Sequence, residues 1–208
     1  MTAVANPRIS RHAGDLAPEV KFSGAVAIDT ETTGLHLFRD RLCLVQLSAG
    51  DGEAHLVQIR PGQPAPNLKA VLGDRALTKI FHFARFDLAV LRRDLGAECG
   101  PVYCTRTASK LVRTYTDRHG LKDLCRELLG VDLSKEQQSS DWAQAELTDS
   151  QLHYAASDVL YLHRLRERLD PMLVRENRMA LAQACFDFLP ARAALDLAGF
   201  ENDDIFAH

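Results

Sequence analysis

Three short apolar runs are packed into the stretch before Arg60, each closed by polar or turn residues. Gly24 to Thr30 (GAVAIDT) is apolar until its last two residues, as a buried strand would be. Arg41 to Ser48 (RLCLVQLS) alternates well enough for a second strand. Gly50-Asp51-Gly52 is a turn signal, and Ala54 to Ile59 (AHLVQI) makes a third strand after it. Three successive strands joined this closely predict a meandering sheet, and the rest of the chain must cover it.

The remainder interleaves helical patterns with short strands. Pro61 to Asn67 (PGQPAPN) reads as a loop, with Asn67 capping a helix through Leu72. Thr78 to His82 reads as a fourth strand. Phe86, Val90, Leu91 and Leu95 share one face of a helix, which Gly96 and Gly100 end. Pro101 to Tyr103 suits a fifth strand, followed by a helix over Thr105 to Arg113. Leu121 to Leu129 predicts another, stopped by Gly130. Thr148-Asp149-Ser150-Gln151 is a capping box opening a long helix, and a last helix is expected over Asn177 to Phe188, before Pro190. Met1 to Phe22, with Pro7, Gly14 and Pro18, reads as an arm with little regular structure. The pattern is α/β and suits a ribonuclease H-like domain: a mixed sheet flanked by helices, in a single domain.

At 208 residues with 46% apolar and 25% charged content, a packed core is expected and wholesale disorder is not. The net charge of -3 lacks the basic surplus of a protein that grips long nucleic acid. That points to a short substrate, or to metal ions supplying positive charge. Cys43, Cys99, Cys104, Cys125 and Cys185 form no CxxC or His/Cys cluster, which argues against zinc. An odd thiol count without a secretory signal suggests a reducing compartment. No apolar run approaches the roughly 18 residues of a membrane helix. A cytoplasmic protein with no membrane partner is expected.

Five residues in three segments carry the chemistry. Asp29 and Glu31 are two apart, so on a strand both side chains face one way. Carboxylates that close repel unless a cation intervenes, and hard divalent ions prefer such oxygen ligands. Tyr154 and Asp158 are four apart, on one face of a helix. Asp87 follows a strand and opens a helix. Two divalent ions about 4 Å apart, Mg²⁺ or Mn²⁺, would clamp a phosphodiester among these groups. Asp29, Glu31, Asp87 and Asp158 are the expected ligands, and Tyr154 the group that orients water. Each segment alone has a bland reading: a solvated strand end, an acid favoured by a helix dipole, or packing plus a surface charge. Their joint occurrence in this order does not.

At these residues a family resemblance becomes specific. DTETTGL resembles the first motif of the DEDD exonuclease superfamily, HFARFDLAVL the second, and Tyr154 to Asp158 the third, in its tyrosine-bearing subclass. SKEQQSSDWAQAELTDSQLHYAASDVLYL resembles ribonuclease D, but the chain has no room for that enzyme's helical HRDC domains. RTYTDRHGLKDLC, FLPARAALDLAGF and the terminal DIFAH resemble the NrnC-type nano-ribonucleases, short ribonuclease D-like proteins of alphaproteobacteria. The resemblance implies a 3'→5' exonuclease domain over residues 23–176, after the arm at 1–22. A C-terminal helix and tail at 177–208 would pack on the domain or in subunit contacts. It also implies hydrolysis of short RNA, dinucleotides above all, by a homo-octamer. A general exonuclease on longer RNA or DNA ends is the alternative, and a silent nucleic-acid-binding module a more distant one.

Candidate substrate contacts lie near these motifs. Leu35 resembles the leucine that wedges between two bases in such dinucleases, and Thr30, Thr32 and Gly34 lie where backbone groups would meet the 3'-terminal sugar. His82 precedes Asp87 and is a candidate contact. A 5'-phosphate cap is expected from the basic segment Arg106 to Arg126, with Arg106, Lys110 and Arg113 on one helical face, and from Lys135 and Gln138. A solvated charged face is the plain alternative for any one of these basic residues.

Overall fold

The computed structural model describes residues 7–134 and 136–208. Its strands are β1 (Arg8–Ala13), β2 (Ala25–Thr32), β3 (Leu42–Ser48), β4 (Glu53–Gln58), β5 (Thr78–Phe81) and β6 (Val102–Cys104). They form one sheet in the order β1-β4-β3-β2-β5-β6. Short connections make β2, β3 and β4 an antiparallel meander, with Gly50 and Gly52 supplying left-handed backbone between the last two. Longer crossovers bring β5 parallel to β2 and β6 parallel to β5. β3 lies inside the sheet and every one of its residues is buried, which is why its run is nearly continuous in apolar residues.

Helices α1 (Pro66–Gly73), α2 (Ala84–Leu95), α3 (Thr105–Val112), α4 (Leu121–Leu124), α5 (Asp149–Leu160), α6 (Leu162–Arg175) and α7 (Met179–Leu195) flank the sheet. This is the mixed, helix-flanked, single-domain architecture expected of a ribonuclease H-like fold. Val26, Ile28, Leu44, Leu47 and Ile80 of the sheet, Leu88 and Leu91 of α2, and Val159 of α5 belong to one core. Small residues on α5, buried Ala155 and Ala156, suit a close approach to the sheet. No described helix is long and apolar enough to cross a membrane.

The expected arm is partly a strand. β1 pairs parallel with β4, from Arg8 opposite Glu53 to Ala13 opposite Gln58. Its sequence RISRHA has no apolar stripe because an edge strand needs none. Just beyond it, Asp15 accepts hydrogen bonds from the backbone N–H of Asn67 (3.0 Å) and Leu68 (2.9 Å). The cap of α1 is therefore Asp15 from a distant segment and not Asn67, whose side chain instead donates to Leu16 O at 2.9 Å. The Thr148 capping box forms as expected. The segment it opens is interrupted at Tyr161, where φ of -108° separates α5 from α6. The helix expected to stop at Phe188 continues through Pro190 to Leu195. A proline inside a helix removes one hydrogen bond, and the packing of Phe186 on Tyr103, rings 4.6 Å apart, is one contact that holds this helix to the sheet.

Candidate active site

β2 carries Asp29 and Glu31 on one face of the sheet at its C-terminal end, where pairing with β3 becomes irregular after Glu31. α5 faces that end and brings Asp158. Ligand oxygens of Asp29, Glu31 and Asp158 all lie within 4.8 Å of one another, the one such cluster among the described residues. Asp87 enters from the first turn of α2 and is buried. Its carboxylate accepts a 2.6 Å hydrogen bond from the Thr30 hydroxyl. Thr30 points to the opposite side of β2 from its neighbours, so one strand supplies two acids and the support for a third.

The electrostatics of the cluster show what it lacks. Burial pushes the Asp29 carboxyl up to about 7. Burial, then repulsion from Asp29, Asp158 and Asp87, pushes Glu31 up to about 10. Asp87 and Asp158 are raised well above the usual carboxylate range, first by burial and then by Asp29. Tyr154, hydrogen-bonded to Asp158, is raised by burial and by the surrounding acids. No lysine or arginine is among the groups lowering the acids' pKa values. One buried and three half-buried carboxylates crowded together without a cation are pushed towards their neutral forms, and a divalent ion is the partner an all-oxygen donor set fits.

Tyr154 sits one helical turn before Asp158 with its ring 6.0 Å from that of Trp142. Trp142 is buried on the loop before α5. That loop is fastened by Gln151 Nε2 to Asp141 O (3.0 Å) and by Gln58 Nε2 to Gln144 O (2.8 Å). Gln46 was not singled out by sequence. It lies opposite Asp29 on β3, is fully buried, and neither amide atom has a partner among the described residues. A lone amide within RLCLVQLS was the available signal.

The turn after β2 presents Leu35 with 80% of its surface exposed. The turn is tightly built. The Thr32 hydroxyl donates to Gly34 O, and His36 N donates to Asp40 Oδ2 at 2.9 Å. A Cβ at Gly34 would collide with that same Asp40 oxygen. His82 is neutral, its pKa lowered to about 3 by burial and then by Arg106, and its Nδ1 pairs with the Thr105 hydroxyl at 2.9 Å.

The expected basic cap is only partly available. Arg113 is fully buried. It donates to Ser109 Oγ (3.1 Å) and Arg118 O (2.8 Å) and forms an ion pair with Glu127. It is an internal strut rather than a phosphate contact. Lys110 is exposed while Arg113, just past the helix end at Val112, is fully buried, so the two do not share an accessible face. Arg106 stacks its guanidinium 4.5 Å over the Phe83 ring. Gln138 is exposed in a turn, and Lys135 lies outside the described residues.

Residues 6–174 match the family described as 3'-5' exonuclease. A ribonuclease D from Granulibacter bethesdensis is 32% identical over 155 residues, covering 74% of this chain and 39% of the relative. The chain thus spans about two fifths of the length of the ribonuclease D relatives it matches. The structure of Brucella melitensis NrnC bound to pGG superposes with a TM-score of 0.93 at 57% identity, covering 98% of this chain and 100% of that one. The same protein with bound Mg²⁺ gives 0.91 at 56%, covering 97% and 99%. By family match, sequence and structure together, the chain belongs to the 3'-5' exonuclease family.

Proposed function

We propose that the protein is a metal-dependent 3'→5' exoribonuclease that hydrolyses short 5'-phosphorylated oligoribonucleotides, dinucleotides above all, to 5'-mononucleotides. The observation that carries the reading is the half-buried cluster of Asp29, Glu31 and Asp158, with buried Asp87 beside it, arranged as oxygen donors with no lysine or arginine countering them. The solved relative bound to pGG supports a short substrate, and the one with bound Mg²⁺ supports a divalent cofactor.

Asp29, Glu31, Asp87 and Asp158 are the groups that would hold two divalent ions, Mg²⁺ or Mn²⁺. Such ions supply a nucleophilic water at neutral pH and stabilise charge on the leaving oxygen. The chain's own residues do the rest. Tyr154 keeps its phenolic proton, because burial and adjacent acids raise its pKa, so its role is to hydrogen-bond and orient rather than to take a proton. Trp142 fixes the ring that does so. Leu35, projecting from a rigid turn, offers an apolar edge for a base. Subunits assembled as a homo-octamer would complete the enclosure that restricts length. The product pattern suits the last step of RNA decay and clearance of the linear dinucleotide pGpG.

Asp29→Asn is expected to abolish hydrolysis while retaining the fold, measured by circular dichroism and product chromatography. Full activity in that variant removes the mechanism. Limiting enzyme offered equimolar RNAs of two, three, five and seven nucleotides, with duplex DNA alongside, should consume the dinucleotide first. Equal rates on all RNAs, or preferred attack on DNA ends, remove the dinucleotide assignment and leave the general exonuclease.

A further inference from the structure

We propose that Asp196, acting through Arg85, is a positioning residue for Asp87, so that the C-terminal segment sets the metal affinity of the site. The proposal rests on the reading of Asp87 as a metal-holding carboxylate. The family match ends at residue 174, so Asp196 lies outside the part of the chain that the family defines.

Thr30 braces the Asp87 carboxylate itself, but the turn that carries Asp87 has no side-chain cap. The residue before α2, Phe83, has φ of 72°, in the left-handed region that disfavours a bulky side chain, and no side chain caps the helix. Such backbone persists where its surroundings fix it. Two cations do so here. Arg106 lies over the Phe83 ring. Arg85 reaches outward to Asp196 with a fork of two hydrogen bonds, Nε to Oδ2 at 2.6 Å and the terminal nitrogen to Oδ1 at 2.7 Å. The same nitrogen donates to Glu201 O at 2.5 Å.

The anchor itself is firm. Asp196 is 2% exposed, and Arg192 donates to it at 2.9 Å. Arg192 also donates to Phe200 O (2.7 Å) and Glu201 O (3.0 Å). Arg85 and Asp87 are two residues apart, so on a helix they point about 200° away from each other. One side of the turn is thus pinned to the segment 196–201 while the other presents Asp87 to Thr30 and the acids. A bidentate arginine–carboxylate pair fixes orientation as well as distance. Movement of the turn is movement of Asp87.

The test compares two arginines that share one carboxylate. Arg85→Ala cuts the link to α2. Arg192→Ala removes the other partner of Asp196 without touching α2. Mn²⁺ binding is followed by electron paramagnetic resonance, beside the Mg²⁺ concentration for half-maximal hydrolysis and the melting temperature in chelator. Arg85→Ala should weaken Mn²⁺ binding about tenfold, as when a group bracing a metal ligand is lost, with a matching rise in the Mg²⁺ requirement. Arg192→Ala, which loosens the anchor but leaves the Arg85 fork in place, should give a clearly smaller loss than Arg85→Ala. Equal shifts in both variants, or none in Arg85→Ala, overturn the proposal. Should Arg85→Ala not fold, Arg85→Lys retains the charge and loses the fork; it should show a smaller loss of the same kind, and parent-like Mn²⁺ binding there also overturns the proposal. An unsubstituted protein that binds no Mn²⁺ refutes the metal reading first and this proposal with it. One that binds Mn²⁺ without hydrolysing RNA refutes only the proposed activity and leaves the two arginines comparable by resonance.

Discussion

Thr30→Val isolates the support beneath Asp87. Valine keeps the β-branched shape of a buried strand residue and removes only the hydroxyl that donates at 2.6 Å to Asp87. A hydrogen bond to a charged group contributes about 1.5–3 kcal/mol and one to a neutral group about 0.5–1.5 kcal/mol. Without metal, burial and then Asp29 push the Asp87 carboxyl well above the usual carboxylate range, towards its neutral form, so the metal-free fold should lose the smaller amount, about 1 kcal/mol. With metal the carboxylate is charged, and the loss is about 2 kcal/mol. Binding senses the difference, about 1 kcal/mol, or roughly fivefold in affinity. Calorimetric Mg²⁺ titration measures it directly, and thermal melting in chelator measures the metal-free term. A variant that binds Mg²⁺ as tightly as the parent, with its whole defect in metal-free stability, would refute the placement of Asp87 as a charged ligand braced by Thr30.

Three further outcomes are expected. Asp29 and Glu31 have folded-state pKa values of about 7 and about 10 against ordinary values of 3.8 and 4.5, so the folded metal-free protein holds protons that the unfolded chain releases. The contribution of these two groups to stability is then greatest in acid and falls as pH rises towards those values; between about pH 7 and pH 9, above the histidine range, melting in chelator should drop, and saturating Mg²⁺ should flatten the slope. A metal-free melting temperature that rises over that window contradicts the assignment. Arg113→Ala strands the part-exposed Glu127 and opens a cavity, and should cost about 2–4 kcal/mol in denaturant unfolding, while leaving the ratio of rates on 5'-phosphorylated and unphosphorylated dinucleotides unchanged. Leu35→Ala removes a side chain that is 80% exposed; stability should stay within about 0.5 kcal/mol while KM for a dinucleotide rises, and an unchanged KM excludes a contact between Leu35 and a base.

The acids were legible in sequence because each is fixed by local geometry: two positions along a strand, four along a helix, the first turn after a strand. The meander and the Thr148 cap were legible for the same reason. What escaped depends on distant partners. Asp15 caps α1 across a separation that no local pattern encodes. Arg113 looked like a surface cation because its partners, Glu127 and Arg118 O, come from the next segment of chain. Pro190 looked like a stop, yet α7 packs well enough to continue through it. Gln46 was hidden in a strand that reads as core, and only its register opposite Asp29 makes it conspicuous.

β1 has a consequence for the order of assembly. Its partner β4 runs parallel to it, and Arg8 must find Glu53, so no tight turn can join them. As the chain emerges from the ribosome, β1 is made first and cannot pair until the β2–β4 meander exists to receive it. A strand left waiting with free backbone groups invites aggregation. RISRHA carries two arginines, a serine and a histidine in six residues. The polarity that makes this strand hard to recognise also keeps it soluble until its edge of the sheet is ready.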